Sequence, residues 1–332
     1  MTSTPAPTAP RPAQASARPA GAPVQPAPVK AGPAGRRLSR TRRTAPALFL
    51  APFLVLFFAT LLAPVGYAVW MSLFREQASS GLGFGGTKTL FVGGDNYLRA
   101  LDDPGFRRGF AHIALYCVIY IPVMVGGALA LALLLDSALA RARRFFQLAY
   151  FLPHAVPGLI AAMVWGFLYT PGLSPVIDLL SVFGSDWDLL GPDAVIFSMA
   201  NAATWQWLGY NMVIFYAALQ AVPRETLEAA VMDGAGGLRT AWSVKVPMIR
   251  SSVVLTVLFT AVGSIQLFNE PEVLRARASS ISPEWSPVMF IYQSAFTEHD
   301  YGLAAAASLL LAVLGAALSF VITRLGNRWK EA

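Results

Sequence analysis

Six apolar runs constrain this chain more than any other feature of its sequence. They fall at 47–74, 110–135, 146–169, 195–221, 248–268 and 303–325. A helix rises ~1.5 Å per residue, so about 20 apolar residues cover the ~30 Å hydrocarbon layer of a bilayer. Lipid offers no partner for a backbone N–H or C=O, so a spanning run folds as a helix rather than as an open strand. Charged residues make up only 13% of the 332, and mean hydropathy is +0.54. A soluble domain carries roughly twice that share of charge. The sequence therefore predicts an all-α membrane protein with six transmembrane helices.

The net charge of +7 raises the question of nucleic acid, and its distribution answers it. Arg36, Arg37, Arg40, Arg42 and Arg43 stand beside the first apolar run, where Lys and Arg fix membrane orientation. With both ends placed in the cytoplasm, the inner segments hold 18 Lys/Arg and 5 Asp/Glu, and the outer loops hold 7 and 13. The outer loop 170–194 carries Asp178, Asp186, Asp188 and Asp193 and no base. Cytoplasmic termini and a lipid partner follow, with no nucleic acid. Residues 1–35 contain nine prolines and almost no bulky apolar side chain, so they cannot build a core. The organisation expected is a disordered tail over 1–44, ending in the basic cluster, and a membrane domain over 45–332. The first apolar run is too late and too long for a cleaved signal peptide.

The inner loop between the fourth and fifth spans is the most informative stretch. It reads VPRETLEAAVMDGAGGLRTAWSVKVPMI over 222–249. Pro223 suits a first helical turn, and Glu225 and Glu228 lie three apart near a helix N-terminus, where negative charge is favoured. Asp233-Gly234 should end that helix, because Gly adopts the left-handed conformation at little cost. Gly236 and Gly237 allow a second bend before another short helix. On its own this is a helix–turn–helix that could lie on the lipid surface or dock into a partner.

At Glu228, Ala229, Ala230, Asp233, Gly234, Ala235 and Pro247 the loop resembles the hallmark of the permease subunits of bacterial ABC importers. The resemblance covers a core of about 107–325, and Gly236-Gly237 departs from the polar and aromatic residues usual there. It is nearest to the carbohydrate-import branch, first-permease type. Phe151-Leu152-Pro153, Ala218-Leu219-Gln220, the run from Gln266 to Pro271 and the run from Ile291 to Phe296 carry that likeness. The resemblance implies that the loop is a cytoplasmic coupling helix seated in a cleft of a separate ATPase. Glu228 would pair with a base there, Ala229 and Ala230 would allow close packing, and Gly234 would make the turn. It implies a bacterial inner-membrane location and alternating access driven by ATP. The implied partners are a second homologous permease, two cytoplasmic ATPase subunits and an extracellular or periplasmic solute-binding protein. A sugar is the implied cargo: an oligosaccharide, disaccharide or glycoside. Within the family the alternatives are glycerol phosphate, a polyamine or a peptide. Outside it stands a stand-alone secondary transporter.

Enzyme and cofactor motifs do not emerge. The stretch Gly83 to Lys88 is glycine-rich but lacks phosphate-loop spacing, so no nucleotide site is expected in this chain. His112, His154 and His299 match no metal spacing. His154, between Pro153 and Pro157, reads as a hydrogen-bonded ring at a kinked helix end. Cys117 reads as a small apolar residue within a span. No nucleophile elbow or paired carboxylate marks a catalytic set, so no enzymatic activity is expected.

Polar groups inside spans either face a cavity or bond one another between helices. The fourth span carries Asn201, Trp205, Gln206, Trp207, Tyr210, Asn211 and Gln220, and the fifth carries Thr260, Ser264, Gln266, Asn269 and Glu270. Gln206, Trp207, Tyr210, Asn211, Ser264, Gln266 and Asn269 are the candidates for a substrate pathway. Amides beside aromatic faces suit a neutral polyhydroxylated ligand.

Overall fold

A computed structural model describes residues 38–78, 87–137, 141–182 and 188–331. The proline-rich tail to residue 37, with Arg36 and Arg37, lies outside the described residues, as do Gly83, Gly85, Gly86 and Asp186. The chain divides into two units, 1–59 and 60–332. In the first, α1 (Leu38–Phe57) begins inside the stretch expected to lack structure. Its Leu, Arg and Ala content favours a helix.

The second unit is mostly helical, with α2 (Ala63–Ser72), α3 (Asp95–Asp102) and the long α4 (Pro104–Asp136) leading. Asp103 accepts from the amides of Gly105 at 2.7 Å and Phe106 at 3.2 Å, and Pro104 fills the first turn. This cap starts the second span well before the apolar run itself. A small hairpin departs from the all-α expectation: β1 (Phe74–Ala78) pairs antiparallel with β2 (Thr87–Phe91). Phe74 and Phe91 face each other edge to face at 5.4 Å, a cross-strand pair that stabilises such a ribbon. The buried amide of Asn96 donates to the carbonyls of Ser72 and Phe74, which fastens the hairpin to α3.

Among the described residues, four stretches are long and apolar enough to span a bilayer: Leu48–Ser72, Pro104–Asp136, Arg250–Arg275 and Tyr301–Arg328. The expected third span is not one helix with a kinked end. It consists of α5 (Arg143–Phe151), a 3-10 turn (Leu152–Ala155) and α6 (Gly158–Leu168), and the chain bends by 95° at the break. Pro153 opens the 3-10 turn with Leu152 still helical at φ −54° and ψ −40°, and Pro157 makes the bend, since it lacks a donor N–H and holds the residue before it out of the helical region. Val156 is accordingly extended, at φ −77° and ψ 127°. Beyond α7 (Pro175–Val182), the run read as the fourth span is a helix, α8 (Val195–Gln220), 26 residues without a charge, which its amides and aromatics keep out of those four.

α8 lies against α4, and Tyr116, Met124, Met199, Met212 and Phe215 form the buried seam. Small residues set the approach, with Ala128 and Ala132 on α4 and Ala200 and Ala203 on α8 all buried. At Gly209 the backbone of Tyr150 in α5 comes so close that an added Cβ would overlap the Tyr150 carbonyl. Replacing Gly209 by Ala should cost about 3 kcal/mol or more, as overpacking against an unyielding backbone does. Thermal denaturation of the detergent-solubilised protein measures this. Gly126→Ala, whose Cβ meets nothing within 4 Å, should leave the midpoint in place or raise it slightly, since Ala favours a helix interior over Gly.

Candidate functional site

Two breaks in the helical backbone border one cavity of about 360 Å³. The first is the bend at 152–157, immediately before Gly158 in the cavity wall. The second, 266–268, separates α12 (Arg250–Ile265) from α13 (Asn269–Arg275), and all three of its residues line the cavity. Each break frees a carbonyl, and a side chain meets each one. Gln206 donates to Val156 O at 2.8 Å, and Ser286 donates to Leu267 O at 2.9 Å. Irregular backbone at membrane depth is tolerated where it lines a cavity and its polar groups are paired.

The structure brings all seven candidate pathway residues to this wall. They divide into two kinds. Gln206, Asn211 and Ser264 are buried, and backbone carbonyls take up their donors. Asn211 donates to Trp207 O at 3.0 Å and Ser264 to Thr260 O at 2.8 Å. Trp207, Tyr210, Gln266 and Asn269 are exposed, and the Gln266 and Asn269 amides make no hydrogen bond among the described residues. The other polar residues of α8 are used elsewhere. Asn201 donates to Tyr169 Oη at 2.8 Å, and Trp205 packs edge-on against Trp165.

Sequence reasoning missed part of the wall. Tyr116 and Tyr120 on α4 stack at 5.0 Å and line the cavity with Phe259, Thr260 and Phe268. Their i, i+4 spacing on one helical face was the available signal. Glu270 is the one charged residue among the described residues of the lining. His154 was expected to be hydrogen-bonded. Instead its Nδ1 is buried without a partner, while the ring stacks on Tyr210 and meets Trp207 edge-on, both at 4.6 Å. Aromatic neighbours on both sides leave that nitrogen no acceptor or donor.

The loop that follows α8 folds as an elbow. α9 (Arg224–Met232) ends at Gly234, whose φ of +79° is left-handed. Ala235 N bonds Ala230 O at 2.9 Å and Gly234 N bonds Val231 O at 3.0 Å, the paired bonds of a Schellman turn. Gly236 then caps α10 (Gly237–Thr240), which continues through a widened π segment (Ala241–Lys245) into α11 (Val246–Met248). Pro247 explains the widening, since its ring crowds the carbonyl four residues back, at Ser243. Of the sequence candidates, Glu228, Ala229, Asp233, Gly234 and Pro247 are exposed, and Ala230 and Ala235 are half-buried. The elbow also presents bare apolar side chains: Met232 is 87% exposed, Leu238 76%, Val231 62% and Trp242 61%. Its feet are buried, with Val222, Val246 and Ile249 in one core with Leu135 and Leu219. The structure thus gives a cavity walled by α4, α8 and α12, with the elbow as the covalent link from α8 to α12.

Residues 107–331 match the family described as "Binding-protein-dependent transport system inner membrane component". The chain belongs to this family. Among its relatives is the probable ABC transporter permease protein YurN of Bacillus subtilis (strain 168), 33% identical over 293 residues, 86% of this chain and 97% of that one. Another is the sn-glycerol-3-phosphate transport system permease protein UgpA of Shigella flexneri, 31% identical over 284 residues, 84% of this chain and 92% of that one. A bacterial ABC transporter involved in the import of the acidic polysaccharide alginate shares the fold. One of its chains superposes with a TM-score of 0.75 at 17% identity, covering 88% of this chain and 99% of that one. The permease is therefore a membrane subunit of an ABC importer, and its family is one of transporters rather than enzymes.

The two kinds of amide in the permease cavity should separate experimentally. Gln206→Leu strands the Val156 carbonyl and should lower stability by about 1–3 kcal/mol. Gln266→Leu breaks no bond and should leave the thermal midpoint in place. Denaturation of both variants in the same detergent checks the contrast.

Proposed function

We propose that this permease forms half of the membrane pathway of an ATP-driven sugar importer, and that its elbow at 224–248 is the coupling element. The observation that carries this reading is the elbow's form. A rigid Schellman turn holds up four exposed apolar side chains and Glu228, a surface suited to a protein partner. The partner is a cytoplasmic ATPase. A charge-assisted bond from Glu228 contributes about 1.5–3 kcal/mol, and each apolar side chain buried on docking contributes a similar amount. Because the elbow connects α8 to α12, a pull on it is applied to two walls of the cavity. ATP is the partner's cofactor, and this chain carries none.

The rest of the assembly follows from that reading. A second, homologous permease supplies the other half of the pathway, two ATPases dock on the inner side, and a solute-binding protein delivers cargo on the outer side. Counting the bent pair α5–α6 as one span and α8 as another brings the spans to six, with both termini in the cytoplasm of a bacterium's inner membrane.

The cavity supports a neutral carbohydrate. Trp207, Tyr210 and Phe268 offer faces for sugar rings, backed by the buried Tyr116 and Tyr120, and Gln266 and Asn269 offer free amide groups for hydroxyls. One observation favours a second cargo, since UgpA belongs to an sn-glycerol-3-phosphate system. Against an anion stands the wall itself, where Glu270 has no basic neighbour among the lining residues.

The assembled importer in proteoliposomes tests both parts. Glu228→Arg and Gly234→Val should each cut uptake about tenfold or more, the cost of losing one charged contact or forcing a β-branched residue to positive φ. ATP hydrolysis should persist in both. Normal uptake by both variants rejects the coupling role. Uptake of sn-glycerol 3-phosphate in preference to neutral disaccharides rejects the sugar reading.

A further inference from the structure

We propose that Asp136 is the positioning residue that clamps the elbow to the membrane helices, so that movement of the elbow is passed on rather than absorbed. The inference rests on the elbow's docking role proposed above and adds the device that makes it stiff. Asp136 is the last residue of α4, Gln220 the last of α8, and Lys245 the last of the π segment. One carboxylate joins all three. Its Oδ1 accepts from Gln220 Nε2 at 2.7 Å, and its Oδ2 pairs with Lys245 Nζ. The partners are 84 and 109 residues away in the chain, so the contact is made by the fold and not by local geometry.

The clamp sits where force must cross. On one side of it the elbow is open, with Val231, Met232, Leu238 and Trp242 exposed. On the other side α4 and α8 form the packed seam of the bundle. Apolar contacts of Val246 and Ile249 with Leu135 and Leu219 hold the elbow down, but such contacts are non-directional and allow sliding. A two-pronged carboxylate fixes register, because it is satisfied in one position only. The pair is also sheltered, with side-chain exposure of 13% for Asp136 and 18% for Lys245. Removing one partner therefore leaves a charge without compensation, and not merely a lost surface bridge.

The test uses the complete importer in proteoliposomes and reads substrate imported per ATP hydrolysed. Asp136→Lys and Lys245→Asp alone should each lower that ratio about tenfold, the scale of coupling between residues in one network. The double exchange, Asp136→Lys with Lys245→Asp, should restore it, since the Gln220 amide can turn its carbonyl toward the new lysine. A ratio in both single variants equal to the parent's, or a double exchange as impaired as the singles together, overturns the clamp. If a single exchange fails to assemble, Asp136→Asn with Lys245→Gln keeps a hydrogen bond without charge. That pair should assemble and retain most of the ratio, and a ratio as low as that of an unpaired variant overturns the proposal. A Val231→Cys crosslink to the ATPase, in a Cys117→Ser background, separates the two levels of the argument. A crosslink kept while the ratio falls assigns the defect to the clamp, and no crosslink in the parent overturns the docking role and the clamp with it.

Discussion

Everything in this fold answers to one requirement: a backbone carbonyl or amide inside lipid must find a partner within the protein. Continuous helices meet it almost by themselves, and α4 and the closing helix α15 (Tyr301–Glu331) do so over 33 and 31 residues, Pro122 in α4 withholding one bond. The two places where the helix stops, at 152–157 and 266–268, are met by side chains from elsewhere, Gln206 and Ser286. Those are also the places that border the cavity. The cost of breaking a helix in a membrane is accepted only where the break exposes groups to a space that needs them. The location of the cavity is in this sense a consequence of hydrogen-bond accounting.

The same economy explains the two roles of polar residues on α8 and α12. Gln206, Asn211 and Ser264 hold backbone groups in place, while Gln266, Asn269, Trp207 and Tyr210 present unused faces to the cavity. A wall built this way is rigid behind and open in front. The elbow repeats the arrangement on a larger scale, with buried feet and an exposed crest. Between the two lies a chain of packed helices, so a displacement at the crest has a physical path to the cavity.

Much of this was legible in the sequence, and the exceptions have physical reasons. The long apolar runs marked α4 and α15, and Asp233-Gly234 marked the turn that ends α9. The third span looked continuous because its composition is apolar throughout; Pro153 and Pro157 marked a kinked end there, but not a bend of 95°. The hairpin at Phe74–Phe91 rests on pairing across residues 79–86, which periodicity within either strand does not reveal. Tyr116 and Tyr120 were overlooked because an aromatic inside an apolar run reads as lipid-facing until its neighbours are known. The Asp136–Lys245 pair is a tertiary contact, and one sequence without its fold does not display it.

The most direct measurement is the distance between spin labels at Tyr210→Cys on α8 and Phe259→Cys on α12, in a Cys117→Ser background. It would be taken by pulsed electron resonance on the assembled importer, with and without a non-hydrolysable ATP analogue. The account predicts that nucleotide shifts the distance distribution across the cavity, and that Gly234→Val abolishes the shift. An unchanged distribution in the parent, or one that shifts equally in the Gly234 variant, would contradict it.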